Sequence, residues 1–355
     1  VALRRLKAGA DPDSPPRAVA IPVPWEDEAG EALAALAPGS GPATLPSVAE
    51  AWIQRLTLRG RRLGLLDGAD EAESLAAGLR SLILARRGAP GAEIWRDARG
   101  EGRFVLNLPA FLDGAGGFDA PAYRAACALA VQTLDIWGHG KAESLRLGFA
   151  DLAGLLAGFG LGYDSNEARD VAAAIAGLTR GAAEAESGRL ATRFGPRHAV
   201  ALICPTPPEE TVIAGLAQAA RAALAAAAAS PGLRHRGCIA LAPADGVEAL
   251  LGAESAGIAP APGASRPARG EDGRVTQVPT RAAERAGVDA AWLLAPMAPQ
   301  ARRAMEAAVM PFLDAPPPAM PAPAELPEAR RAAPRPIHAP ISRCWRVAIA
   351  GNRVA

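Results

Sequence analysis

Residues 104–137 read FVLNLPAFLDGAGGFDAPAYRAACALAVQTLDIW, and two different periods meet inside them. Phe104, Leu106 and Leu108 alternate and stop before Pro109, the mark of a short strand. From Pro121 to Trp137 the pattern is that of a long helix. A strand feeding a helix is the repeating unit of an α/β fold, so the class is set from this stretch outward.

On the C-terminal side a second helix is expected over Leu145–Phe159. A third begins at Asp164 or Ser165, either of which can cap its first turn. AVALIC (199–204) and CIALA (238–242) are continuous apolar runs, as in strands buried on both faces of a parallel sheet. A helix over Glu209–Ala229 would join them in a right-handed β-α-β unit. On the N-terminal side, RAVAIPVPW is expected to form a short strand ended by Pro24. Helices follow from Ser47 (AEAWIQRL), through a basic turn RGRR, to DEAESLAAGLRSLILARR. The last of these sets Leu75, Leu79, Leu82 and Leu84 on one face and places Arg86 and Arg87 in its final turn, where cations meet the negative helix end. Gly88–Gly102 reads as loop. Beyond Pro260 the chain turns polar, one more helix pair is expected around Arg281–Phe312, and a Pro-rich linker leads to a terminal strand, ISRCWRVAIAGN (341–352). That apolar tail is expected to dock on this sheet or on another chain.

Composition limits the partners. The 355 residues carry 38 basic and 37 acidic side chains, a formal net charge of +1, which argues against nucleic-acid binding. No apolar run reaches the ~20 residues of a membrane span; the Ala-rich run 211–230 is broken by Gln218 and Arg221. The start lacks the apolar core of a signal peptide, so a cytoplasmic location is expected. Cys127, Cys204, Cys238 and Cys344 are widely spaced, as structural thiols are. His198, Cys204, His235 and Cys238 match no standard zinc spacing, so no metal is expected.

The run from Phe104, the block SLRLGFADLAGLLAGFGLGYDSNEARD (144–170) and IALAPADGVEALLGAESAGIAP (239–260) occur in the order and spacing of a known family. Together they resemble the ribonucleotide reductase large (catalytic) subunit, closest to its adenosylcobalamin-dependent branch. The resemblance implies a partial reductase-like α/β barrel over 89–263. A helix-rich segment (1–88) precedes it, and a helical extension (264–314) and the Pro-rich tail (315–355) follow. It also assigns positions, and there the chemistry is missing. The radical loop N-x-C-x-E corresponds to Ala89-Pro-Gly91-Ala-Glu93: the asparagine is Ala89, the radical cysteine is Gly91, and only Glu93 persists. The dithiol cysteine falls on Glu101, or on Gly102 if the gap moves. Cys344 alone stands near the end, where the family keeps a cysteine pair. The phosphate loop A-P-T-G-T becomes Ala242-Pro243-Ala244-Asp245-Gly246, with both hydroxyls lost and a negative charge added. Ser255 to Pro260 keeps the shape of S-x-G-I-E-P, retaining Ser255 and Gly257, with Ala259 for the glutamate. Asp245 also reads simply as a helix N-cap.

What these residues imply is a non-catalytic reductase-like protein with a scaffold, regulatory or nucleotide-binding role. No cofactor is indicated by the residues themselves; adenosylcobalamin enters only through the resemblance. A half barrel leaves strand edges open, so a protein partner is expected, either a second copy or a genuine reductase chain. The alternative is an enzyme of the reductase family, genuine in its deoxyribonucleotide synthesis or altered in its chemistry. In the altered case Glu93, with Asp245 or His235, would act as acid and base in one cleft.

Overall fold

The computed structural model describes residues 1–9, 14–114, 116–200, 205–269 and 274–318. In chain order the elements are β1 (Leu3–Ala8), β2 (Arg17–Pro22), α1 (Asp27–Leu36), β3 (Ala43–Thr44), α2 (Leu45–Arg62), α3 (Gly68–Leu84), β4 (Gly88–Pro90) and α4 (Ala92–Arg96). Then come β5 (Phe104–Asn107), α5 (Ala120–Trp137), β6 (Ser144–Ala150), α6 (Leu152–Gly158), α7 (Asn166–Phe194), α8 (Leu216–Ala228), β7 (Gly237–Ile239) and α9 (Val247–Leu251). The described chain closes with β8 (Ser265–Arg269), β9 (Val275–Pro279), α10 (Arg281–Ala286), α11 (Ala290–Leu293) and α12 (Pro299–Val309).

The strand at Phe104 lies in a four-stranded sheet of order β4-β5-β6-β7. All four residues of β5 are buried. It pairs antiparallel with β4 and parallel with β6, and β6 pairs parallel with β7. The fold is thus mixed α/β, and the described strands form open sheets of three, four and two strands, none closed on itself.

The structure corrects several expectations. Residues 144–150 are a strand, not the start of a helix: Leu145, Leu147 and Phe149 alternate into the core between β5 and β7. Gly148 lets β7 approach, since a Cβ there would lie 3.0 Å from the Ala240 carbonyl oxygen. Only Leu152–Gly158 is helical, after Asp151 turns the chain in the left-handed region (φ 61°). The first strand of the expected β-α-β unit, 199–204, lies largely outside the described residues; of the second, only Gly237–Ile239 forms a strand, β7. Its parallel neighbour is β6, Ala199 is exposed, and residues 201–204, with Cys204, lie outside the described residues. Helix α8 starts at Leu216 rather than Glu209, behind Gly215 at φ 76°. RGRR is the last turn of α2, not a break. Arg86 and Arg87 lie beyond α3; Arg86 takes φ 55°, stacks 4.3 Å from the Trp25 ring and pairs with Glu26. The supposed loop 88–102 holds β4 and α4, and the polar stretch after Pro260 forms the β8–β9 hairpin. The terminal strand expected at 341–352 and Cys344 lie outside the described residues.

Other elements follow their local signals. Strand β2 forms over RAVAIP, α5 matches its expected span, and the Ser165 hydroxyl caps α7 by accepting from the Ala168 N–H at 3.0 Å. Helix α7 is buried along most of its circumference, which marks a central helix. One continuous core runs from Ala8 to Leu313, drawing on residues of 1–88, 89–263 and 264–314. Cys127 and Cys238 are buried free thiols within it. Among the described residues no helix is long and apolar enough to cross a membrane.

The contact between α7 and α8 depends on Gly181. A Cβ there would lie 2.4 Å from the Ala223 carbonyl carbon and the Leu224 nitrogen, backbone atoms that cannot swing aside. Gly181→Ala is expected to cost about 1–3 kcal/mol by overpacking, despite alanine's better helix propensity. A urea midpoint equal to wild type would contradict this.

Candidate functional site

Antiparallel pairing of β4 with β5 brings Gly91 against Arg103; the Gly91 N–H donates to the Arg103 carbonyl at 2.8 Å. Helix α9 and its leading loop then deliver Asp245 and Glu248 to the same place. Arg103 donates to Glu248 through Nη1 (2.8 Å) and Nη2 (3.0 Å), and to Asp245 through Nε (3.1 Å). Asp245 also accepts from the backbone N–H groups of Ala92 (2.8 Å) and Val247 (3.2 Å). Glu248 in turn accepts from the Asp245 N–H at 3.2 Å. The N-cap of α9 is Gly246, without a side-chain cap, so Asp245 is not the cap expected of it; one residue earlier, its carboxylate ties α4 to β5 instead.

The sequence-assigned radical-loop residues converge here. Ala89 is fully buried in β4, and Gly91 precedes α4. A Cβ on Gly91 would lie 2.5 Å from Arg103 Cγ, 2.9 Å from Glu93 Oε2 and 3.0 Å from Asp245 Oδ2. Glu93 and Asp245 thus face one point, but the stem of Arg103 fills it. Glu93 Oε2 is buried there without a hydrogen-bond partner. The other positions disperse. Glu101 is exposed, and at Gly102 a Cβ would meet Trp137 Cδ1 at 2.6 Å, so neither alignment leaves a buried thiol site. Pro243 and Ala244 are exposed, and Gly246 makes the turn at φ 99°. Ser255 and Gly257 serve another junction. Their carbonyls accept from the Asp151 and Leu152 N–H groups, and the Ser255 hydroxyl donates to Asp151 at 3.3 Å.

The electrostatics oppose an anionic ligand. Asp245 and Glu248 share the single guanidinium of Arg103, and Glu93 adds a third carboxylate beside the stem of that side chain. Burial pushes the Asp245 carboxyl up, but the hydrogen bond and charge of Arg103, with the Ala92 and Val247 amides, outweigh it and hold the pKa below the ordinary range.

A second polar cluster joins residues far apart in the chain, Ser187, Arg234, His235 and Asp135. The Ser187 hydroxyl accepts from the N–H groups of Arg234 (3.1 Å) and His235 (3.0 Å) and lies 3.0 Å from His235 Nδ1. With both donors spent on its oxygen, its own proton points to Nδ1. His235 Nε2–H then donates to Asp135 Oδ1 at 3.2 Å, and Arg234 Nε donates to the same carboxylate at 3.1 Å. Ser187 and His235 are fully buried and Asp135 is 2 % exposed, so no substrate reaches this triad. It is a buried polar network, and His235 does not join Glu93 or Asp245. Burial raises the Asp135 pKa, yet His235 and Arg234 bring it below the usual value. Among the described residues no group of three or more His, Cys, Asp or Glu is arranged to hold a metal. The apolar cleft between Leu156, Tyr163, Leu293 and Met297 has free volume of about 10 Å³, room for about one water molecule.

Neither the pairing of Arg103 with Asp245 and Glu248 nor the Ser187 network has a local signal in the sequence. No family model matches the chain, and no curated protein does.

Because Asp135 and Asp245 hold depressed pKa values in the folded state, they bind protons more weakly folded than unfolded. Their stabilisation is complete above the unfolded aspartate value of about 4 and is lost as pH falls through the folded values. Asp245→Asn is expected to flatten the acid limb of a stability–pH curve measured by urea unfolding. An unchanged acid limb would refute this.

Proposed function

We propose that this chain is a non-catalytic protein on a ribonucleotide-reductase-like pattern, acting as a scaffold or regulator through contacts with other proteins. In this reading the four-stranded sheet is the retained part of the barrel. The observation that carries the reading is Gly91, which has neither a thiol nor room for one because Arg103 Cγ occupies the space. The residues present do not fit the radical chemistry that adenosylcobalamin would start. Nor does the loop at Asp245 suit a phosphate: its amides are taken by a carboxylate of the chain itself, and acids outnumber the guanidinium.

The test is thermal unfolding with nucleoside diphosphates, nucleoside triphosphates and adenosylcobalamin, each with and without a reductase large subunit. No shift with the small molecules and a shift or co-elution with the subunit is the expected pattern. A ligand at a thousand times its dissociation constant would add about 4 kcal/mol and overturn the reading. The altered-enzyme alternative draws on the unpartnered Glu93 Oε2 beside Asp245. It requires Arg103 to leave the space between the two carboxylates, against its bonds to Asp245 and Glu248.

A further inference from the structure

Helix α2 buries one side in the core and carries a row of arginines on its flank. Arg55, Arg59 and Arg62 stand at i, i+4 and i+7, so they share one side of the helix over about 10 Å. Arg59 is held in place: its guanidinium stacks 4.8 Å from the Trp137 ring, and its Nη1 donates to the Trp137 carbonyl at 3.3 Å. A single carboxylate faces the row. Asp97 lies 3.6 Å from Arg55 Nε and 3.7 Å from Arg59 Nη2, beyond hydrogen-bonding distance of both, and no described carboxylate pairs with Arg62. Leu58, 46 % exposed, lies within the row, and Leu63, 43 % exposed, follows it. Beside the row runs a shallow groove lined by Trp52, Arg55, Leu56, Arg59, Ile94 and Trp137. Trp52 is 1 % exposed, and its indole N–H finds no acceptor among the described residues.

We infer that this flank of α2 is a docking face for an acidic segment of a partner protein, whose carboxylates pair with Arg55, Arg59 and Arg62 and whose apolar side chains cover Leu58. The inference rests on the reading of the chain as one that works through protein contacts. Charge selects the occupant: three guanidiniums share one loosely held carboxylate. The chain as a whole carries a formal +1 and lacks the wider basic field that a nucleic acid requires. The helix dipole accounts for cations in the last turn, Arg59 to Arg62, but not for Arg55 one turn earlier. Like charges at these spacings also disfavour the isolated helix, so the row is not explained by the fold of α2. The groove encloses no free volume, so a small ligand cannot be buried in it, whereas a surface laid across it meets the whole row. Arginine and tryptophan carry much of the binding energy at protein interfaces, and Arg59 is already ordered on Trp137, which lowers the entropy lost on docking.

The test needs no reductase subunit, so its outcome is separate from that of the scaffold reading. A labelled helical peptide with glutamates at i, i+4 and i+7 and a leucine between them is titrated with the full chain and read by fluorescence anisotropy. The same peptide with glutamine for each glutamate, and a single-stranded DNA of similar length, serve as comparisons. The acidic peptide is expected to bind and the other two are not. Raising the salt from about 0.05 M to about 0.5 M should weaken binding, because the charges are solvent-exposed. Arg55→Gln combined with Arg62→Gln, neither side chain being buried, should raise the Kd about tenfold through the loss of two exposed charge pairs, with the urea midpoint unchanged. Leu58→Glu, at an exposed position, should abolish measurable binding by setting a like charge in the row. Four results each overturn the inference: no binding of the acidic peptide, equal binding of the glutamine peptide, tighter binding of the DNA, or a wild-type Kd in the folded variants.

Discussion

Asp135→Ala is expected to lower the unfolding free energy by about 3–5 kcal/mol, the range for removing one partner of a buried ion pair. Asp135 lies at the centre of the buried network: Arg234, 4 % exposed, keeps its charge, and His235 keeps its ring in place of solvent. Without the carboxylate, Arg234 retains only the Gly140 carbonyl bond at 3.0 Å and its stacking on Phe194. Asp135→Asn should cost less, because an amide oxygen can still accept from one of the two donors. Ser187→Ala, which removes the hydroxyl but no charge, should fall nearer the roughly 1–3 kcal/mol of an unsatisfied buried group. Urea midpoints should therefore rise in the order Asp135→Ala, Asp135→Asn, Ser187→Ala, all below wild type. Equal midpoints for Asp135→Ala and wild type would mean the network contributes nothing to stability.

Arg103→Ala is expected to have an effect of the same size, for a related reason at the other cluster. Glu248 is buried and bonded by both terminal nitrogens of Arg103, so truncation strands its charge. Asp245 is partly exposed and keeps the Ala92 and Val247 amides, so it should suffer less. The double variant Arg103→Leu with Glu248→Leu should therefore recover much of the loss, because a buried pair replaced by apolar residues is often neutral. A double variant as unstable as Arg103→Ala would show that packing, and not the stranded carboxylate, sets the cost. These variants bear on function too. Opening the space at Gly91 while leaving Glu93 and Asp245 is the most direct way to ask whether the two carboxylates do anything once freed.

The expected elements that formed as read share one property: their signals are local. Phe104 and Leu106 lie in β5, Ser165 caps α7, and Leu75, Leu79 and Leu82 line the buried face of α3, where Ile83 takes the place expected of the exposed Leu84. Those that failed are the ones whose partners lie far along the chain. Leu145, Leu147 and Phe149 could have lined a helix face. They form β6 because β5 offers its edge on one side and β7 on the other, with Gly148 permitting the close approach. Arg86 and Arg87 looked like last-turn cations, but the left-handed turn at Arg86 directs them to Glu26 and Asp119 instead.

The candidate site divides in the same way. The chain alone fixes that positions 91 and 101 hold a glycine and a glutamate, neither of which can supply a thiol in any fold. It also sets Asp245 and Glu248 three residues apart, close enough for Glu248 to accept from the Asp245 amide. That Arg103 meets them, and that Ser187, His235 and Asp135 meet each other, was settled only by the tertiary structure. An ion pair carries no required spacing in sequence; it forms where burial makes an unpaired charge costly and a partner from another element happens to be within reach.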